Sequence, residues 1–85
     1  MEKLNLYEVI EKYGSNQVCV LNMTGAFITF GCDDVRISSI GEVEIGTFPK
    51  IRISNYVKFV LNKENEEWYH FDDCNTSTFT LSIKK

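Results

Sequence analysis

The chain has 85 residues, of which 44% are hydrophobic and 25% charged, with a formal charge of −3 and a pI near 5.0. That length holds one hydrophobic core, so residues 1–85 read as a single domain, and the composition speaks against both a disordered chain and a membrane protein. The acidic balance argues against direct nucleic-acid binding, which draws most of its affinity from a basic surface.

A helix is predicted over residues 4–13. Leu6, Val9, Ile10 and Tyr13 recur at i, i+3, i+4 and i+7, which sets them on one face. Asn5 is the N-cap, Glu8 completes a capping box with it, and Leu4 and Val9 have the spacing of a hydrophobic staple. Gly14 is expected to end the helix in the left-handed conformation, with Lys12 beside the negative end of the helix dipole. The hydrophobic period then falls to two, and a β-meander is predicted over residues 17–84. Gln17–Met23 and Ala26–Cys32 form a hairpin about Thr24-Gly25. Past Asp33-Asp34, Val35, Ile37 and Ser39 alternate with Arg36, Ser38 and Ile40. Beyond Gly41, Val43 and Ile45 face one way and Glu42 and Glu44 the other, before a turn at Gly46-Thr47-Phe48-Pro49. That turn predicts Glu44 opposite Lys50, Val43 opposite Ile51 and Glu42 opposite Arg52, with opposite charges sharing one face. Ile51, Ile53, Val57, Phe59 and Leu61 share odd parity, so residues 50–62 read as one long strand, bent or bulged at Ser54-Asn55. Asn62–Glu66 reads as a polar loop, residues 67–71 as a strand, and residues 78–83 as the last strand, with Phe79, Leu81 and Ile83 inward. Together these elements predict an α+β fold: one N-terminal helix packed on a curled antiparallel meander of six to eight short strands, a small barrel being the closed alternative to an open sheet.

Met1-Glu2-Lys3-Leu4-Asn5 has no basic start followed by an apolar stretch, so no signal peptide is read and a cytoplasmic location is expected. Cys19, Cys32 and Cys74 are an odd number of thiols, expected free and reduced. On the hairpin register Cys19 faces Phe30 and Cys32 faces Gln17, which makes two of the sulfurs diagonal neighbours and buried small hydrophobes. The sequons Asn22-Met23-Thr24 and Asn75-Thr76-Ser77 carry no consequence without export. A preference for Lys, Asn, Ile and Glu over Ala, Arg and Pro points to an AT-rich coding sequence, as in a low-GC bacterium or one of its phages.

Residues 64–74 concentrate the chemistry of the chain: the only Trp, the only His, five carboxylates and one thiol. As metal ligands, His70, Asp72 or Asp73, and Cys74 fall short of a closed zinc site, because there is no Cys-x-x-Cys pair and no second His. As a catalytic centre, Cys74 and His70 need a turn at a strand end to bring thiol and imidazole together, with an Asp to orient the ring. The simplest reading is a strand with Tyr69 and Phe71 inward and Trp68 and His70 outward, followed by an acidic turn. Asp33-Asp34 lacks the further alternating oxygen ligands of a calcium loop. The sequence has no Gly-rich phosphate loop, no Ser-His-Asp spacing and no basic patch interleaved with aromatics.

Asn55-Tyr56-Val57-Lys58 followed by Glu67-Trp68-Tyr69-His70-Phe71-Asp72-Asp73 resembles the closing hairpin of ubiquitin-specific proteases, where a Gly-His-Tyr strand precedes a Trp-Tyr-x-Phe-Asp-Asp strand. The resemblance spans roughly a quarter of the chain. The family's general base falls at Asn55, its nucleophile box is absent, and the chain is too short for a papain-like fold, so the activity is not carried over.

The expectation for function is a non-enzymatic protein-binding module: a small acidic inhibitor or adaptor, of the kind phages and mobile elements encode, that covers a basic site on a larger partner and uses no cofactor or metal. Its expected binding residues are Glu64, Glu66, Glu67, Trp68, His70, Asp72 and Asp73, an aromatic anchor within a negative field. The alternatives are a small metal- or thiol-dependent enzyme using His70 and Cys74, and a homo-oligomer joined through exposed strand edges.

Overall fold

The computed structural model describes residues 2–46, 50–75 and 77–85. In chain order these form the helix α1 (Leu6–Tyr13), the strands β1 (Val18–Met23) and β2 (Ala26–Gly31), a 3-10 turn at Cys32–Asp34, and then β3 (Val35–Ile37), β4 (Val43–Ile45), β5 (Ile51–Ile53), β6 (Phe59–Glu64), β7 (Trp68–Asp73) and β8 (Thr80–Lys84). All pairings are antiparallel and fall into two sheets, a five-stranded one in the order β2-β1-β8-β7-β6 and a three-stranded one in the order β3-β4-β5. The fold is α+β and open, not a closed barrel. The meander β6 to β8 is joined to the first hairpin because β8 inserts between β1 and β7, while the meander β3 to β5 makes the smaller sheet by itself. Among the described residues no helix is long and apolar enough to cross a membrane.

Local signals start α1 as expected. The Asn5 side chain accepts from the Glu8 amide at 2.8 Å, and Glu8 Oε1 accepts from the Asn5 amide at 2.9 Å. Eight residues are too few to hold a helix in water unaided. Leu6, Val9 and Ile10 are buried, each contributing about 1.5–3 kcal/mol, and Tyr13 meets Tyr69 and Phe71 edge-on at centroid distances of 5.0 and 5.1 Å. The helix does not end as expected: Gly14 has φ −103°, outside the left-handed region, and Asn16 takes the positive φ at 61°. Gly14 is needed for space instead, since a Cβ there would lie 2.9 Å from the Ile10 carbonyl oxygen. The first hairpin pairs Met23 with Ala26 and Cys19 with Phe30, as its alternation predicts, with Gly25 at φ 77° in the turn.

Four further expectations are corrected. Residues 50–62 are not one strand: β5 belongs to the three-stranded sheet and β6 to the five-stranded sheet, and the chain crosses between them through a turn in which Ser54 Oγ accepts from the Tyr56 amide and Ser54 O from the Val57 amide, each at 3.1 Å. The register of β4 on β5 is displaced by two residues, so that Glu44 faces Arg52, Val43 faces Ile53 and Ile45 faces Ile51. A two-residue displacement keeps every side chain on its expected face. The turn assigned to Gly46-Thr47-Phe48-Pro49 lies, beyond Gly46, outside the described residues. The Asn62–Glu66 loop is mostly strand: β6 runs to Glu64, with a bulge between Leu61 and Lys63. Finally, Asn55–Lys58, the leading strand of the protease-like hairpin, is turn and connection, with Tyr56 strongly exposed.

One apolar core joins α1 to the facing sides of both sheets, with Leu21, Phe30, Phe59, Phe71, Leu81 and Ile83 from the larger sheet and Val35, Val43, Ile45 and Ile53 from the smaller. Helix and small sheet therefore cover the same face of the five-stranded sheet. Its other face is covered by no element among the described residues.

Candidate functional site

That uncovered face is built by alternation. On β7 the odd residues Tyr69, Phe71 and Asp73 turn to the core, which sends Trp68, His70 and Asp72 outward. The tight turn before β7 is set by Asn65, whose side-chain oxygen accepts from the amides of Glu67 and Trp68 at 2.9 and 2.8 Å, while its own amide donates to Trp68 O at 3.0 Å. Trp68 is thereby fixed at the start of the strand, beside Glu66 and Glu67 at the exposed turn.

Strand pairing sets the neighbours. One row across the sheet runs Thr29, Val20, Ser82, His70, Lys63, and the next runs Phe27, Asn22, Thr80, Asp72, Val60. His70 is half-buried, its Nδ1 3.0 Å from Ser82 Oγ. Trp68 is also half-buried and lies opposite Lys84, whose Nζ sits 5.1 Å from the ring centroid and 3.9 Å from Glu67 Oε1. Lys85 reaches Glu64 at 3.7 Å, whereas Glu66 forms no ion pair among the described residues. The field around Trp68 is thus mixed: carboxylates crowd the turn, and lysines flank the ring and the imidazole.

Of the seven residues expected to bind a partner, five gather on this face and its adjoining turn; Glu64 does not, because it ends β6 opposite the core-facing Tyr69 and so lies on the other side of the sheet. Asp73 also falls away from them. It is buried on the core side, and its Oδ1 accepts from the Asn75 amide at 2.7 Å. Phe27, Val18 and Lys84 belong to the surface and were not anticipated from the sequence. Phe27 is 66% exposed and Val18 49%; their outward alternation was readable, but the order that brings β2 and β1 beside β8 and β7 was not.

The thiol-imidazole arrangement does not form. Cys74 lies past the end of β7, its Sγ donating to Lys58 O at 3.1 Å and its amide to the same oxygen at 2.8 Å. Four residues of extended chain separate backbone positions 70 and 74 by about 13 Å, and the imidazole is engaged with Ser82. Among the described residues no three His, Cys, Asp or Glu side chains group closely enough to hold a metal ion. Cys19 is fully buried, and that burial, reinforced by nearby Cys32, pushes its thiol up to about 12, which leaves it protonated and inert. A cleft of about 220 Å³ between α1 and the 3-10 turn is lined by Tyr7, Ile10, Glu11, Ser15, Cys32 and Val35. In it, Cys32 Sγ accepts from the Asn16 amide at 3.4 Å, and no histidine or cation stands among the lining residues to activate the thiol. No protein-family model, curated protein or solved structure matches this chain.

Proposed function

We propose that this chain is a small non-enzymatic protein-binding module, an inhibitor or adaptor, that lays the outer face of its five-stranded sheet against a larger partner. The observation that carries the reading is a sheet face left uncovered while bearing Phe27, Val18, Val20, Trp68 and His70. Exposed apolar and aromatic surface held on a rigid sheet is what an interface core needs. Trp68 is the anchor, already pinned by its turn and so losing little freedom on binding. The carboxylates of Glu66 and Glu67 at the edge of the face favour a partner with a basic surface, chiefly by speeding encounter.

Capture from extracts of the source cell, using immobilised wild type and Trp68→Ala, tests the proposal. Truncating an aromatic anchor costs about 2 kcal/mol or more, roughly a 30-fold loss of affinity. The variant should lose the partner while keeping the wild-type melting temperature. Unchanged capture with a melting temperature several degrees lower would mean that Trp68 only closes the end of the core. Reversal of Glu66, Glu67 and Asp72 to Lys should slow association and reduce its salt dependence.

A further inference from the structure

The four sheet edges are protected unequally. On β6, Leu4 already occupies the edge at Phe59, with hydrogen bonds of 3.1 and 2.7 Å; the strand is then broken by the bulge before Lys63 and ends in the charged pair Lys63-Glu64. The outer strands of the small sheet, β3 and β5, have three residues each, with Arg36 and Arg52 at their centres. Bulges, charges and shortness are the devices that keep strand edges from pairing with other chains. None of them is present on β2. It has six residues, stays in unbroken register with β1 from Val18↔Gly31 to Met23↔Ala26, and exposes Ala26, Phe27 and Thr29. The sequence has no charged residue between Lys12 and Asp33, in a chain that is one-quarter charged.

We infer that β2 is a pairing edge for a second copy of this chain, which joins two five-stranded sheets into one continuous antiparallel sheet. Every second residue of an edge strand directs its N–H and C=O groups away from the sheet; on β2 the Gly31 amide is taken by Asp34 Oδ2 at 3.1 Å, and an antiparallel copy of the same strand meets the groups of Phe27 and Thr29 under a twofold axis. An axis at Ile28 sets Phe27 of each copy opposite Thr29 of the other and keeps outward side chains outward. The charge distribution selects this occupant. With a net charge of −3, two copies repel one another across most of their surface, and the uncharged hairpin is where they approach without that cost. A six-residue strand edge buries less than the roughly 800 Å² per partner of a stable interface, so the dimer is reversible and concentration-dependent. The pairing uses the backbone edge of β2, whereas the partner-binding role uses the outer face and its anchor Trp68, three strand spacings away at about 14 Å; the two share Phe27, and the mass measurement on the isolated protein reads the pairing alone.

Sedimentation equilibrium from about 10 μM to about 1 mM, a span that brackets weak association, should show the average mass rising from one 9.8 kDa chain toward two. In parallel, part of the β2 amides should exchange several-fold more slowly at the high end. The double variant Phe27→Lys/Thr29→Lys sets ammonium groups opposite one another across the axis and should remain monomeric throughout, with an unchanged circular dichroism spectrum because both sites are exposed. Val60→Lys places the same charge on the protected β6 edge and should dimerise as wild type does. A wild type that stays monomeric at 1 mM overturns the inference. So does a Phe27→Lys/Thr29→Lys protein that dimerises undiminished, or a Val60→Lys protein that does not dimerise.

Discussion

Cys19 has no exposed surface, lies opposite Phe30 and Ile83, and keeps its proton up to about pH 12 where an ordinary thiol loses it near 9.0. Between those values the folded protein holds a proton that the unfolded chain has released. The stability contributed by this group is therefore complete below pH 9 and falls as pH rises toward 12. One proton gives a slope of about 1.4 kcal/mol per pH unit, so moving from about pH 8 to about pH 10.5 removes about 2 kcal/mol. For a domain of this size that lowers the melting temperature by about 10 °C. Cys19→Ala isolates the effect, because titrations common to both proteins cancel in the difference. The variant loses about 1 kcal/mol of packing at pH 8 but lacks the alkaline slope of this thiol. Urea denaturation across the range should show the wild-type advantage shrinking from pH 9 and changing sign near pH 10. A difference that stays constant with pH would refute the assignment of a buried, desolvated thiol.

Gly14→Ala should destabilise, against the usual gain of about 0.4–1 kcal/mol for shortening glycine's unfolded ensemble. The new Cβ would stand 2.9 Å from Ile10 O and 3.2 Å from Ile10 Cα, both backbone atoms that cannot swing aside; the expected loss is about 1–3 kcal/mol, and a thermal melt at or above wild type would disprove it. Glu44 is 6% exposed and accepts from Arg52 Nε at 3.1 Å, with Lys50 at 3.9 Å. Arg52→Met leaves that carboxylate short of its nearest partner and should cost about 1–3 kcal/mol, whereas Glu44→Gln leaves only exposed cations and should cost less. Urea midpoints for the two variants that coincide, or fall in the opposite order, would contradict this.

The elements legible in the sequence were those specified by neighbours in the chain. The capping box at Asn5 and Glu8, the helical stripe from Leu6 to Ile10 and the hairpin about Thr24-Gly25 each rest on contacts within a few residues. Parity failed where tertiary geometry decides. Ile53 and Phe59 both face the core and are an even number of residues apart, so one bent strand and two strands in different sheets leave the same alternation. The β4 and β5 register failed for a related reason. Pairing Glu44 with Lys50 or with Arg52 puts charge opposite charge and apolar opposite apolar, and only the length of the intervening turn separates the two. At Gly14 the residue type was read correctly and its cause was not: close approach to Ile10 and positive φ both select glycine, and a sequence does not distinguish them.

The candidate site was half legible for the same reason. Outward alternation on β7 names Trp68, His70 and Asp72, but the insertion of β8 between β1 and β7 is a non-local pairing that no short motif encodes, and with it come Lys84 over Trp68 and the extension of the face to Phe27. Lys84 bears directly on whether Trp68 can serve as an anchor. An exposed cation–π contact contributes about 0.5–1 kcal/mol, less than the roughly 2 kcal/mol a buried aromatic anchor supplies to an interface. The lysine's other partner is Glu67 at 3.9 Å on the exposed turn, a surface pair that constrains it by no more than about 1 kcal/mol. A docking partner can therefore displace Lys84 at modest cost, and until then its stem shields the indole from water. An aromatic with a removable cover of this kind leaves less apolar surface in water before docking than a bare indole on an open sheet would.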